Sequence, residues 1–283
     1  MTLRLRLVLA LLLALPTLGA TAANDSPPPS GPLRLGSVAM DIPAIMHRRL
    51  SPLRRYLAGR LAMPVTLRLS PDMPAAIRAL ATGEVDIAYL TPVAYLHARE
   101  QGGAQLLVKT VTRGQDHFRL MIVVRQDSPW QRVADLAGRS FAFGDRAAVL
   151  QRAVVAGAGL DLAALADYRF LGHLDNVARA VLNGDFDAGI LKDTMAYQWQ
   201  GRGLRILYAS PALPPYNIAA RADLDPRLVA ELRAAFLELD PARPADRAVI
   251  KALDPRYDGF VAATDQEYDV VRRLIAPFMT KPR

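Results

Sequence analysis

The residues able to do chemistry in this chain stand singly, each at the end of a short apolar run. Tyr89 and Thr91 flank the end of Asp86–Leu90, Asp145 and Arg146 follow Ser140–Phe143, and His173 follows Tyr168–Leu171. Tyr216 and Asn217 come after Pro214-Pro215, and Met40 ends the first run, Leu33–Met40. A phenol, a hydroxyl, an imidazole and a guanidinium each hold polar or anionic molecules by hydrogen bonds or charge. Bond-making chemistry needs groups set in register, and those are missing. There is no G-x-S-x-G elbow, no H-E-x-x-H helix, and no Walker or dinucleotide loop. His47, His97, His117 and His173 have no metal-ligand spacing, and no cysteine offers a thiolate or a disulfide. The set reads as binding: no enzyme, no cofactor and no metal are expected.

Each side chain also has an ordinary structural use. Tyr89 can be a packed strand aromatic and Thr91 an N-cap for the helix opened by Pro92. Asp145 is read by preference as an N-cap, and Arg146 can be solvated. Tyr216 and Asn217 can pack at a hinge, and His173 can be structural. Met40, with Asp41 beside it, is included on position alone. Tyr95, Trp130 and Trp199 are assigned to packing.

The elements that set these positions alternate. Ile45, Leu50, Leu53, Leu57 and Leu61 recur at helical spacing through Ala44–Leu61. Val65–Leu69 alternates as a strand, and a helix over Pro74–Thr82 ends at Gly83, where a left-handed cap suits glycine. A strand at Asp86–Leu90 leads to a helix over Pro92–Gln101, opened by a proline whose missing N–H costs nothing there. Strands follow at Gln105–Val111, Phe118–Arg125 and Ser140–Phe143, with a brief helix at Val133–Gly138. Helices at Ala147–Ala156 and Asp175–Leu182 alternate with strands at Tyr168–Leu171, Asp187–Leu191 and Leu204–Ser210. Helices at Arg227–Leu239 and Gln266–Ile275 close the chain. This is α/β grammar: mixed, mainly parallel sheets covered by helices on both faces. Phe118–Arg125 and Leu204–Ser210 are long enough to cross between domains. An inserted lobe over 116–210 is therefore expected inside a discontinuous lobe of 33–115 and 211–283, with a ligand cleft between them.

The first 22 residues read as an export leader: Arg4 and Arg6, an apolar run Leu7–Leu15, then Ala20-Thr21-Ala22 as a cleavage site. The run is short for a bilayer span, which takes about 20 residues. Ala23 stands where a lipoprotein would need cysteine, so a freely diffusing periplasmic protein is expected. Asn24–Pro32 reads as a flexible lead-in. Formal net charge is +8, and +6 once the two leader arginines are removed. Those charges are dispersed and not interleaved with aromatics, which argues against nucleic acid and for steering of anions.

The pieces also resemble a known family. Ser51-Pro52-Leu53 with Leu57, then Gly83-Glu84-Val85-Asp86-Ile87-Ala88-Tyr89-Leu90-Thr91-Pro92, is similar to the first lobe of phosphate/phosphite/phosphonate-binding proteins of ABC importers. So are Asp135–Gly138 with Phe141–Asp145, and Gly172-His173 ahead of Ala180–Gly189; Ser210 to Pro214 looks like the return segment. The resemblance implies a type II periplasmic-binding fold of two lobes closing on one small polar or anionic ligand. It also implies a monomer that serves an ABC permease, with presentation to a membrane sensor kinase as the alternative. Tyr89 and His173 fit the family pattern and are expected to clamp ligand from opposite lobes, neither being needed by the empty protein. One segment departs. Where the family carries a serine/threonine run that cradles an oxyanion, this chain has Arg146-Ala147-Ala148-Val149-Leu150. Met73 stands where a tyrosine is expected, and Tyr216 with Asn217 where an acid is expected. Phosphate and simple phosphonates are therefore expected to bind poorly, with Arg146 the one side chain able to replace the lost hydroxyls.

Overall fold

The structure, a computed structural model, describes residues 31–37 and 43–279. The expected leader, most of the lead-in, and Met40 with Asp41 lie outside the described residues. Within them, two mixed sheets are flanked by nine α-helices.

The first sheet holds β1 (Leu33–Ser37), β2 (Val65–Leu69), β3 (Ile87–Leu90), β4 (Gln105–Thr112), β10 (Asn217–Ala220) and β11 (Tyr257–Ala262) in the order β11-β4-β10-β3-β1-β2. The second holds β5 (Leu120–Arg125), β6 (Ser140–Phe143), β7 (Asp167–Phe170), β8 (Ala188–Lys192) and β9 (Leu204–Ala209) in the order β7-β6-β8-β5-β9. β1 pairs in parallel with β2 and β3, and β6 with β7 and β8, so each connection crosses over through a helix or long loop as in α/β lobes. β10, β11, β5 and β9 run antiparallel to their neighbours and make both sheets mixed.

Neither long strand crosses between sheets. β5 pairs with β8 and β9 along its whole length, so its hydrogen bonds are spent inside one lobe. The crossings fall instead in residues 113–119 and 210–216. There Phe118 and Leu213 exchange two backbone hydrogen bonds of 2.9 and 2.8 Å. Pairing of two extended segments satisfies backbone groups where no sheet is present to do so.

The helices follow from their caps and faces. α1 (Pro43–Arg60) buries Met46, Leu50, Leu53 and Leu57 at helical spacing against the first sheet. α2 (Met73–Ala81) starts where the Asp72 carboxylate accepts the Ala75 N–H at 2.7 Å. α3 (Pro92–Gly102) is capped by Thr91 and stopped by Gly103 at φ 70°. These two helices lie so close that a Cβ on Gly102 would stand 2.3 Å from the Ala81 carbonyl oxygen. The second lobe carries α4 (Val149–Gly157), α5 (Leu174–Asn183) and α6 (Asp193–Trp199), and the return to the first brings α7 (Pro226–Leu237) and α8 (Pro244–Leu253). The last helix, α9 (Asp269–Met279), lies against both α3 and α4, with Leu274 packed over Gly157.

One buried carboxylate organises the base of the first sheet. Asp86, just before β3, accepts from the Arg34 backbone N–H (2.8 Å), Arg34 Nε (2.9 Å), Arg34 Nη2 (2.7 Å) and Arg221 Nε (3.0 Å). Burial alone would raise its pKa, but the hydrogen bonds and charges of the two arginines outweigh burial and hold it below the ordinary carboxylate value.

Candidate functional site

Strand C-terminal ends and helix starts from both lobes enclose a cavity of about 390 Å³. The first lobe supplies Met73, Thr91, Pro92, Val93 and Tyr216. The second supplies Leu120, the segment Asp145 and Ala147–Gln151, the turn Gly172–Leu174, and Lys192; Phe118, on a crossing segment, lies between. A groove of about 630 Å³ along Arg146 and Leu162–Phe170 is roomier, but the second lobe alone forms it, on exposed edge strand β7. A pocket of about 190 Å³ between Thr112–Phe118 with Pro215 and Lys192–Thr194 with Tyr197 also spans both halves, and the 390 Å³ cavity is the larger of these two.

The expected residues divide around it. Thr91, Asp145, His173 and Tyr216 line the cavity. The Thr91 hydroxyl accepts the Ala94 N–H at 3.1 Å, so it caps α3 while its own proton stays free to donate. His173 is the residue before α5, exposed, and its ring makes no hydrogen bond among the described residues. Tyr216 has a half-buried ring whose hydroxyl carries no such bond either; burial, and the negative charges of Asp254 and Asp145, push its pKa up and keep it a donor.

Tyr89, Arg146 and Asn217 are not on the cavity wall. Tyr89 is 3% exposed, stacks on Tyr216 with ring centroids 5.3 Å apart, and shares a 2.5 Å hydrogen bond with the Tyr257 hydroxyl. It backs the tyrosine that does face the cavity. Arg146 turns outward, its guanidinium 5.0 Å from the Phe170 ring centroid in a cation–π contact. Asn217 begins β10 fully buried, its side-chain amide beside the Tyr268 hydroxyl and short of hydrogen-bond geometry. Tyr95 packs as assigned, buried, its hydroxyl donating to Asp265 at 2.7 Å.

The departed segment is now legible as geometry. Asp145 Oδ1 accepts the Ala147 N–H at 2.9 Å, the Asp145 carbonyl accepts the Ala148 N–H at 3.0 Å, and the Ala147 carbonyl accepts the Val149 N–H at 2.9 Å. The Ala147, Ala148 and Val149 amides, which could have cradled an oxyanion at this turn, are spent within the chain, and the Asp145 carboxylate stands beside them. Gln151 closes the turn from below, its Oε1 accepting the Gly144 N–H at 2.8 Å. A Cβ on Gly144 would meet the Gln151 amide at 3.0 Å, which suits glycine there.

Residues 35–268 match the family described as the phosphonate periplasmic substrate-binding protein of ABC transporters. The chain belongs to that family. It is 23% identical over 270 residues to the phosphate-import protein PhnD of Mycolicibacterium smegmatis, covering 86% of this chain and 84% of that protein. Solved structures give the same type II periplasmic-binding fold. XAC2383 from Xanthomonas citri, bound to ATP, superposes with a TM-score of 0.73 at 22% identity, covering 87% of this chain and 96% of its own. PhnD1 from Prochlorococcus marinus, in complex with methylphosphonate, gives 0.68 at 17% identity over 87% and 97% of the two chains. This phosphonate-family receptor is thus a substrate-binding protein of an ABC importer; the family is one of transport proteins rather than enzymes.

Sequence reasoning passed over Lys192, which ends β8 and faces the cavity of this receptor. The signal was present. It directly follows the apolar run Asp187–Leu191, at the same kind of strand end that marked His173.

The Tyr89 environment gives a direct expectation. Tyr89→Phe strands the buried Tyr257 hydroxyl and lowers the stability of the empty receptor by about 1–2 kcal/mol. His173→Ala, at an exposed ring without hydrogen bonds, changes it by less than about 0.5 kcal/mol. Urea melts of the ligand-free proteins measure both. Equal stability of Tyr89→Phe and the parent would return Tyr89 to the binding surface.

Proposed function

We propose that this receptor captures a small polar or anionic solute, phosphonate-like or another oxyanion or carboxylate, between its lobes and delivers it to an ABC permease. The observation that carries the reading is a two-sided cavity whose polar groups are not consumed by the fold: the Tyr216 hydroxyl, the His173 ring and the Lys192 ammonium. Closure of the lobes exchanges water around a solute for these fixed groups, and the closed form is the shape a permease distinguishes from the open one. One chain builds both walls, which supports action as a monomer. Export through the leader Met1–Ala22, with Ala23 in place of a lipid-bearing cysteine, supports a freely diffusing periplasmic form. Presentation of the solute to a sensor kinase would use the same fold, but the family match favours transport.

The test is mass spectrometry of small molecules released by denaturing receptor purified from periplasm without dialysis. One solute in near-stoichiometric amount is expected, and adding it back to stripped receptor should raise the melting temperature. A stripped receptor that no periplasmic extract stabilises, or one that converts the recovered solute, would overturn the reading.

A further inference from the structure

Resting on that capture reading, we infer that the cleft takes an organic monoanion, a carboxylate or sulfonate with an apolar body, its charge held by Lys192 and Tyr216. The observations concern charge, spent amides, wall chemistry and room.

Three lysines lie among the described residues. Lys109 bonds Asp116 at 2.9 Å and also Glu267, and Lys251 bonds Asp258 at 3.1 Å. Lys192 has no carboxylate partner among the described residues. Its neighbour Asp193 is turned to the backbone N–H groups of Arg119 (2.8 Å) and Thr194 (2.6 Å). The Lys192 ammonium instead rests 4.9 Å from the Phe118 ring centroid at the cavity wall. A half-buried cation without an anion is costly, and burial lowers its pKa. An incoming anion removes that penalty. Lys192 and Tyr216 both line the cavity, and Lys192 also shares a small pocket with Pro215, the residue before Tyr216; the nearby pair Asp254 and Arg256 are satisfied by each other at 2.7 Å.

The remaining features limit the anion to one negative charge. Asp145 is the other fixed charge on the wall, and it is negative. The turn that could have neutralised a second charge spends its Ala147, Ala148 and Val149 amides on the chain itself. A dianionic phosphonate would face one lysine and one carboxylate, its oxygens left to the Thr91 and Tyr216 hydroxyls and the His173 ring. Elsewhere the wall includes Phe118, Leu120, Val149, Leu150 and Leu174. Such a surface gains from apolar contact and offers nothing to a bare oxyanion. The 390 Å³ of space equals roughly thirteen waters at about 30 Å³ each, room for a body well beyond a tetrahedral head group.

The test uses full-length receptor, matured on export and stripped of solute, titrated calorimetrically in mildly alkaline buffer with one ring bearing different heads. The probes are benzoate, benzenesulfonate, phenylphosphonate and neutral benzamide, with methylphosphonate and inorganic phosphate beside them. Benzoate or benzenesulfonate is expected to bind at least about tenfold more tightly than phenylphosphonate, methylphosphonate or phosphate. Lys192→Gln should weaken the monoanions by about tenfold or more while leaving benzamide unchanged, and Lys192→Arg should restore most of the loss. A phosphonate that binds as tightly as the monoanions, no binding of either monoanion, or a Lys192→Gln receptor with parental affinity overturns the inference. A dianionic solute recovered from periplasm would overturn it while leaving capture intact, whereas failure to recover any stabilising solute would remove capture itself.

Discussion

Replacing Asp86 with alanine is expected to cost the folded protein about 3 kcal/mol. The carboxylate accepts four hydrogen bonds, one of them from the backbone of β1, so its loss strands a strand amide as well as two guanidinium groups. The side chains of Arg34 and Arg221 are 33% and 24% exposed, so water re-solvates them in part, and the cost falls at the low end for a broken buried pair. The same pair sets an acid limit. Asp86 is held below its ordinary pKa, so its contribution is complete above about pH 3.9, the unfolded value, and drains away as pH falls through the lower folded value. Urea melts at neutral pH should separate Asp86→Ala from the parent by the full amount, and melts at progressively lower pH should bring the two together. A neutral-pH difference below about 1 kcal/mol would mean that the cluster behaves as an exposed salt bridge.

A methyl group at residue 102 is expected to do comparable damage by a different route. Gly102→Ala places a Cβ 2.3 Å from the carbonyl oxygen and 2.5 Å from the Cα of Ala81, both backbone atoms with no rotamer to yield. α2 and α3 must separate, at a cost of about 3 kcal/mol, the upper end for an overpacked core. Because α2 begins at Met73 and α3 is entered through Thr91, that separation also shifts the first-lobe wall of the cavity. Gly59→Ala is the matched control: it lies in α1 with open space at its Cβ, and should stabilise by about 0.5–1 kcal/mol. Parallel melts of the two variants read the difference. Similar effects from both would show that the close approach of α2 and α3 is not needed.

Periodicity and punctuation made much of the scaffold readable. The leucines of α1, the proline entry to α3 and the apolar strand β5 follow from local rules that the tertiary structure agrees with. β10, α6, α8 and β11 did not follow from them. Asn217–Ala220 is four residues behind a double proline, and it becomes a strand by filling the gap between β3 and β4. Its strand character belongs to its neighbours, as is usual for short strands. The site was legible to the level of which strand ends face the cleft, not which side chain at each end does. Tyr89 alternates inward and reaches Tyr257, leaving Tyr216 to face the cavity. Arg146 finds an aromatic face outside, while Asp145 fills the turn that Arg146 was expected to serve. Lys192 was overlooked because the apolar run before it seemed to end the strand.

The position of α9 bears on how the two halves can move. With only the passages 113–119 and 210–216, one lobe could both nod toward the other and roll about the paired segments. The stretch 263–268 is a third passage, since it leads from β11 to a helix seated on α4 of the far lobe. The third attachment adds a contact that any relative movement of the lobes has to accommodate. Lys109 fastens two of them together, reaching Asp116 in the first passage and Glu267 in the third. Because α9 rests on α3 of one lobe and α4 of the other, relative movement of the lobes has to slide it over one of them, which makes this helix the place where opening and closing would be felt on the outside.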